Sequence, residues 1–124
     1  MEWSGVMPAI TTKFTSDDKL DLDLFNKNIE FQLKSGVQAI VLAGSLGEAS
    51  TLSRDEKNIL TKNTVEFVDN KIPVVVNIAE QSTKEALKSV KCAEKYGASG
   101  LMVLPPMRYK LSLIHISEPT RLGF

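Results

Sequence analysis

The chain has little of what a disulfide-stabilised, membrane-spanning or nucleic-acid-binding protein needs. Cys92 is its one cysteine, so no internal disulfide can form, as is usual in a reducing cytoplasm. The 15 basic and 15 acidic residues give a net charge of zero and form no basic stripe. No apolar run reaches the length of a transmembrane helix, and the N-terminus lacks the basic start and apolar core of a signal peptide. These features predict a cytoplasmic protein whose partners include neither nucleic acid nor a membrane.

Short apolar runs alternate along the chain with segments of helical periodicity. The runs predict strands at residues 6–12, 39–43, 73–78 and 101–104. Between them, apolar side chains at helical spacing predict helices. Two of these helices begin with a Ser-x-x-Glu capping box, at Ser53 with Glu56 and at Ser82 with Glu85. The order β-α-β-α-β-α-β predicts an α/β fold with a parallel sheet or barrel.

A weak internal repeat supports a recurring βα unit. Residues 36–42 and 97–103 match in type at nearly every position, and each begins with a glycine suited to a helix end and continues into an apolar run. Four strands and three helices are compatible with a small open sheet. They are also compatible with half of an eight-unit barrel, which normally has about 250 residues. Periodicity does not choose between these two folds.

The segment 44–47 is the candidate ligand-binding loop. The strand predicted at 39–43 ends at Gly44, and the chain then presents one hydroxyl and turns at Gly47 before a helix begins near Ser53. Glycines allow a ligand to approach backbone N–H groups closely, and strand ends are where α/β folds bind ligands. A tight βα turn without function is the simpler interpretation of this segment. A small α/β module that binds an anion is a second functional hypothesis, although the motif G-x-G-x-x-G is absent.

Three separated motifs carry a resemblance to a known family. They are G-V-M-P-A-I-T-T-K-F at residues 5–14, G-S-L-G-E at 44–48 followed by T-L-S at 51–53, and G-A-S-G at 97–100 with Pro105. From about residue 5 to 110 the chain resembles the dihydrodipicolinate synthase / N-acetylneuraminate lyase family. The resemblance implies the N-terminal half of a (β/α)8 TIM barrel, truncated after the fourth strand. It also implies a class I lyase or aldolase that forms a Schiff base with a 2-oxo acid such as pyruvate, without cofactor or metal, and a homo-oligomer for the full-length protein.

The resemblance assigns substrate binding to Gly44, Ser45, Leu46 and Gly47. In the family this loop usually reads G-[ST]-[ST]-G-E, and its hydroxyls and backbone N–H groups hold the carboxylate of the keto acid. One hydroxyl joins a proton relay. Ser45 retains that hydroxyl and is the predicted catalytic residue, whereas Leu46 replaces the second hydroxyl.

Two departures from the family pattern argue against dihydrodipicolinate synthase itself. One is Leu46. The other follows the fourth strand, where the family often has Pro-Tyr-Tyr, with one tyrosine reaching a neighbouring subunit. This chain has Pro105-Pro106-Met107, with Tyr109 two positions later. The resemblance therefore predicts a relative that acts on another 2-oxo acid, or a related deaminase or dehydratase acting on a cyclic imino acid or a sugar acid.

The family's Schiff-base lysine lies on the sixth strand and its catalytic tyrosine on the fifth, and the four predicted strands supply neither. We therefore assign no lysine of this chain as the nucleophile and expect the chain alone to be inactive. Residues 111–124 resemble the translation of a sequencing adaptor, so we predict a partial barrel at 1–110 and a non-native tail at 111–124.

Overall fold

The predicted alternation of strands and helices is present in the computed structural model, which describes residues 3–105 and 121–123. The helices are α1 (Leu22–Lys34), α2 (Arg54–Val68) and α3 (Thr83–Lys95), and a 3-10 turn spans Ala49–Thr51. The strands are β1 (Ile40–Leu42), β2 (Val74–Ile78), β3 (Gly100–Val103) and β4 (Arg121–Gly123). The predicted helices and the last three predicted strands are therefore confirmed, with shifts of a residue or two at their ends.

The strands form one sheet in the order β1-β2-β3-β4. The first three are parallel, with Val41 opposite Val75 and Val76 opposite Leu101. Helical crossovers connect them, as parallel pairing requires. The last strand runs antiparallel to β3 and lies within the segment predicted to be a tail.

The first predicted strand, residues 6–12, is reduced to a single parallel bridge between Ala9 and Val41. Val41 N–H donates to Pro8 O at 2.9 Å, and Ile10 N–H donates to Val41 O at 3.0 Å. Pro8 has no N–H, so it can contribute only its carbonyl to a ladder. The segment therefore lies beside β1 as predicted but without the regular ladder of a strand.

The helix starts follow their predicted caps with one exception. The Ser53 hydroxyl accepts from Glu56 N–H at 3.1 Å and the Glu56 carboxylate accepts from Ser53 N–H at 3.0 Å, which confirms the first capping box. At α3 the Ser82 hydroxyl accepts from Glu85 N–H, but the Glu85 carboxylate accepts from Arg54 Nη2 at 2.6 Å instead of from the cap. The charged donor on α2 forms the stronger hydrogen bond.

The core lies between the sheet and the helices. Val74 belongs to one cluster with residues of α1 and α2, whereas Val76 and Ile78 pack against Ala93 of α3. Since side chains alternate along a strand, the other residues of β2 point to the opposite face of the sheet. Those residues are Val75 and Asn77, and both are buried.

The N-terminal end of the sheet is covered by an aromatic ring. Trp3 lies over Gly100, and a Cβ atom added at Gly100 would overlap its ring. The absence of a side chain at Gly100 therefore makes room for Trp3. None of the helices among residues 3–105 is long and apolar enough to cross a membrane.

Candidate active site

The candidate loop lies at the C-terminal end of β1. The strand ends at Leu42, Ala43 adopts a left-handed conformation with φ of 57°, and the loop 44–47 follows. Gly44 and Gly47 are buried, whereas Ser45 is exposed. Leu46 is 70% exposed, so its side chain projects from the loop. The two middle residues of the loop are therefore exposed, and the glycines on either side of them are buried.

The loop is wound like the start of a helix. Gly44 O accepts from Gly47 N–H at 3.0 Å and from Ala49 N–H at 3.2 Å, and Ser45 O accepts from Glu48 N–H at 3.1 Å. Neither Ser45 N–H nor Leu46 N–H donates a hydrogen bond to any of the described residues. Unpaired N–H groups at the start of such a turn form the usual backbone site for an anion.

One side of the loop is fixed to the segment 6–12. The buried Thr12 hydroxyl donates to Gly47 O at 2.6 Å. A Cβ atom at Gly47 would lie 3.0 Å from Ile10 O, which leaves little room for any other residue at this position. Thr12 could not be identified from the sequence, because a threonine in a β-rich run is ordinary and its partner lies 35 residues away.

The other side of the loop is fixed by Asn77 on β2. Its Nδ2 atom donates to Ala43 O at 3.1 Å, so it binds the residue that directly precedes the loop. The Oδ1 atom is buried and has no hydrogen-bond partner among the described residues. Asn77 was not identified from the sequence, although a polar residue within the apolar run 73–78 was a signal that could have found it.

Two cavities among the described residues do not suit an anionic substrate. A cleft of about 290 Å³ beside Glu48, the residue that follows the loop, is also lined by Phe14, Thr51 and two more acidic residues, Asp18 and Glu56. The negative charges of these carboxylates would repel an anionic substrate. The cavity between α2, β2 and α3, which Asn77 also lines, is about 20 Å³, room for a single water molecule. No group of three or more His, Cys, Asp or Glu residues able to hold a metal occurs within the described part of the chain.

Charged side chains connect α2 and α3 on the outside of the sheet. Arg54 donates to Glu85 at 2.6 Å and to Ser89 at 2.8 Å, and Ser89 donates to Glu80 at 2.8 Å. The hydrogen bond from Arg54, supported by one from Lys88, lowers the pKa of the Glu85 carboxyl below its ordinary value. None of these bonds involves the loop, so the network holds the two helices together rather than serving the site.

The structure brings the predicted residues Gly44, Ser45, Leu46 and Gly47 together in one turn at the strand end. It adds Thr12 and Asn77 as the side chains that hold this turn. Nothing in the structure tests the relay role of Ser45, which stays a prediction. The predictions for Met107 and Tyr109 concern positions outside the described residues.

Comparison with known families gives a match along nearly the whole chain. The model of the dihydrodipicolinate synthetase family matches residues 2–118, which includes part of the predicted tail. Among curated proteins, the 4-hydroxy-tetrahydrodipicolinate synthase of Thermotoga maritima is 40% identical over 126 residues, covering 96% of this chain and 42% of its own length. The enzyme of that name from Methanococcus maripaludis is 37% identical over 119 residues, covering 96% of this chain and 38% of its own length.

Solved structures give the same picture. The dihydrodipicolinate synthase of Thermotoga maritima superimposes with a TM-score of 0.86 at 40% identity, covering 90% of this chain and 37% of that chain. A prophage protein of this family from E. coli K12, solved in complex with pyruvate, superimposes with a TM-score of 0.85 at 29% identity, covering 89% of this chain and 37% of that chain. The chain thus spans about two fifths of the length of these relatives and matches the N-terminal part of their barrels.

Proposed function

The chain belongs to the dihydrodipicolinate synthetase family, and we propose that its loop 44–47 binds the carboxylate of a 2-oxo acid. The family's members are lyases. The reaction we propose for the whole protein is a class I lyase or aldolase reaction, in which a lysine forms a Schiff base with a substrate such as pyruvate.

This proposal rests on the backbone N–H groups of Ser45 and Leu46, which have no hydrogen-bond partner within residues 3–105 and 121–123. Both lie at the C-terminal end of β1, the end at which barrel enzymes bind their substrates. A carboxylate placed there would accept two hydrogen bonds from N–H groups that the loop holds in place. Because the carboxylate is ionised, these bonds are charge-assisted and stronger than bonds between two neutral groups. The E. coli K12 family member solved with pyruvate supports a 2-oxo acid as ligand.

Ser45 is the proposed relay residue. Its side chain is exposed and its hydroxyl makes no hydrogen bond to the described residues, so the hydroxyl is available to a substrate. Proton transfer to or from a Schiff-base intermediate requires a group within hydrogen-bond reach of the reacting atom, and a hydroxyl beside the carboxylate cradle meets that need. The resemblance to the family supports a relay hydroxyl at this position of the loop.

The substrate we propose is a 2-oxo acid other than that of dihydrodipicolinate synthase, and a related imino or sugar acid is the alternative. Leu46 supports this choice because its side chain offers no hydroxyl to the carboxylate while its N–H remains. The relatives named above are called 4-hydroxy-tetrahydrodipicolinate synthases. An assay of the proposed activity should therefore compare the substrates of those enzymes with other 2-oxo acids.

We further propose that this chain does not form the Schiff base by itself and that the full-length protein is a homo-oligomer. In the family the reactive lysine lies on the sixth barrel strand, and the four strands predicted from the sequence contain no counterpart. Covalent catalysis needs that nucleophile and its proton acceptor to converge on one carbon. The antiparallel direction of β4 agrees with a tail that is not a barrel strand.

A hybrid enzyme tests the proposal. Residues 2–110 of this chain would replace the corresponding part of the Thermotoga maritima relative, which is 40% identical. With pyruvate and borohydride we expect one lysine of the hybrid to be trapped and no lysine of the 124-residue chain to be trapped specifically. A folded hybrid that neither binds nor traps any 2-oxo acid would contradict the proposed function, and specific trapping by the chain alone would contradict its inactivity.

A further inference from the structure

We infer that Asn77 is a substrate-contacting residue whose Oδ1 atom accepts a hydrogen bond from a hydroxyl group on the 2-oxo acid. The inference rests on the proposed function, and it narrows the substrate class to 2-oxo acids that carry a hydroxyl near the keto carbon. It would make Asn77 the residue that distinguishes them from purely aliphatic 2-oxo acids.

The side chain of Asn77 lies on the face of the sheet that a barrel turns inward. Its neighbours on β2, Val76 and Ile78, pack against α3 and Ala93 on the helix side. Alternation along the strand therefore places Asn77 on the opposite face. Its bond to Ala43 O places it beside the residue that leads into the loop.

The orientation of the Asn77 amide is set by this contact. Nδ2 is a donor and Ala43 O is an acceptor, so the opposite assignment would place two oxygens against each other. Oδ1 is then the free end of the amide. It is buried in a residue only 5% exposed, and no described residue donates to it. Buried amide oxygens are nearly always hydrogen-bonded, so this one calls for a donor.

The chemistry of the group that can bind Asn77 Oδ1 follows from the fact that this atom is a carbonyl oxygen. A carbonyl oxygen accepts and cannot donate, so it selects against a carboxylate or a keto oxygen and favours a hydroxyl. The carboxylate of the substrate is proposed to lie on the N–H groups of Ser45 and Leu46. A hydroxyl on the carbon next to the keto group is then the part of the substrate that can donate to Oδ1.

Two ligands of equal size test this selection. In 3-hydroxypyruvate a hydroxyl occupies the position of the methyl group of 2-oxobutyrate, so their carboxylate and keto groups are the same. We would measure the dissociation constants of both for the 124-residue chain by NMR titration. We expect 3-hydroxypyruvate to bind about ten-fold more tightly, since a lost hydrogen bond to a buried acceptor typically costs about this factor.

Two variants separate selection from loop stability. Asn77→Leu removes the acceptor at similar size, and we expect the ten-fold preference to disappear. Thr12→Val loosens the loop from its other side, and we expect both ligands to weaken equally with the preference retained. Should Asn77→Leu not fold, Asn77→Ala removes the acceptor without adding bulk, and we expect it to lose the preference as well.

The outcomes distinguish this inference from the proposed function. If both ligands bind the unmodified chain with equal affinity, the role of Asn77 is wrong while the carboxylate site stands. A preference that survives Asn77→Leu also overturns the role. If neither ligand binds at the loop, both the proposed function and the inference fail.

Discussion

The two ends of the parallel sheet are completed in different ways. At the N-terminal end the Trp3 ring lies over Gly100, and the Gln38 side chain accepts from Val6 N–H and donates to Gly36 O. The polar groups named here are paired within the chain, so they offer a ligand no free donor or acceptor.

The C-terminal end keeps polar groups without partners among the described residues. They are the N–H groups of Ser45 and Leu46 and the Oδ1 atom of Asn77. Side-chain bonds at this end, from Thr12 and Asn77, hold the backbone of the loop rather than cover it. The difference is that expected of a barrel, in which one end serves stability and the other serves binding. We therefore expect substitutions at the N-terminal end to change stability and substitutions in the loop at the C-terminal end to change activity.

The largest effect is expected at Ser45. In the hybrid enzyme, Ser45→Ala should lower kcat by roughly 10²- to 10⁴-fold, because a relay hydroxyl acts mainly in proton transfer. The melting temperature should stay the same, since the side chain is exposed. Ser50→Ala, at an exposed serine of the same segment, is the matched control and should leave kcat unchanged. A raised KM with unchanged kcat would show that Ser45 only binds substrate.

At the opposite end, Gly100→Ala should lower the free energy of unfolding by about 1–3 kcal/mol, because the new methyl group displaces the Trp3 ring. Pyruvate affinity should not change. Urea denaturation of the single variants and of the double variant with Trp3→Ala measures this. The cost of Gly100→Ala should be smaller when the ring is already gone, and an unchanged cost would refute the assigned contact.

A smaller effect separates two glycines of the loop itself. A Cβ atom at Gly47 would lie 3.0 Å from Ile10 O and 3.3 Å from Gly44 N, whereas at Gly44 its nearest contact is Ala9 Cβ at 3.8 Å. Gly47→Ala should therefore lower the free energy of unfolding by about 1 kcal/mol, and Gly44→Ala should change it by less than about 0.5 kcal/mol. Equal effects in urea denaturation would contradict the packing of the loop against residues 6–12.

The smallest effect concerns the helix layer and pH. The Arg54 hydrogen bond, with help from Lys88, lowers the pKa of the Glu85 carboxyl below its ordinary value in the folded chain. A lowered carboxyl pKa stabilises the fold above the ordinary value, and this contribution is lost as the pH falls through the lowered value. Unfolding of Glu85→Gln and the unmodified chain, measured between pH 7 and pH 3, should therefore converge toward low pH. If the difference in unfolding free energy between the two proteins stays constant over this range, the ion pair is not its cause.

The sequence was a good guide to features that depend on neighbouring residues. The capping box at Ser53 and Glu56 lies within one turn, and both of its bonds are formed. The glycines of the loop mark a turn that the structure confirms. The box at Ser82 formed only half, because Arg54, 31 residues away, takes the Glu85 carboxylate. A pattern of neighbouring residues cannot show that a distant arginine competes with the cap for this carboxylate.

Features set by strand register could not be predicted in this way. Asn77 reaches Ala43 O because β1 and β2 pair with Leu42 opposite Val76. The sequence showed a polar residue in an apolar run but not the residue facing it. The same holds for Thr12 and Gly47, and for the segment 6–12, where Pro8 leaves a bridge in place of a ladder. The loop was therefore recognised, while the side chains that hold it were missed.

The most direct test of the central claim follows the backbone amides of the 124-residue chain during a titration with pyruvate. We predict that the N–H resonances of Ser45 and Leu46 shift with one saturating dissociation constant, while those of Gly36 and Gly100 at the other end stay in place. Equal small shifts across the surface, or shifts that saturate at another site while Ser45 and Leu46 do not move, would contradict the assignment of this loop as the carboxylate site.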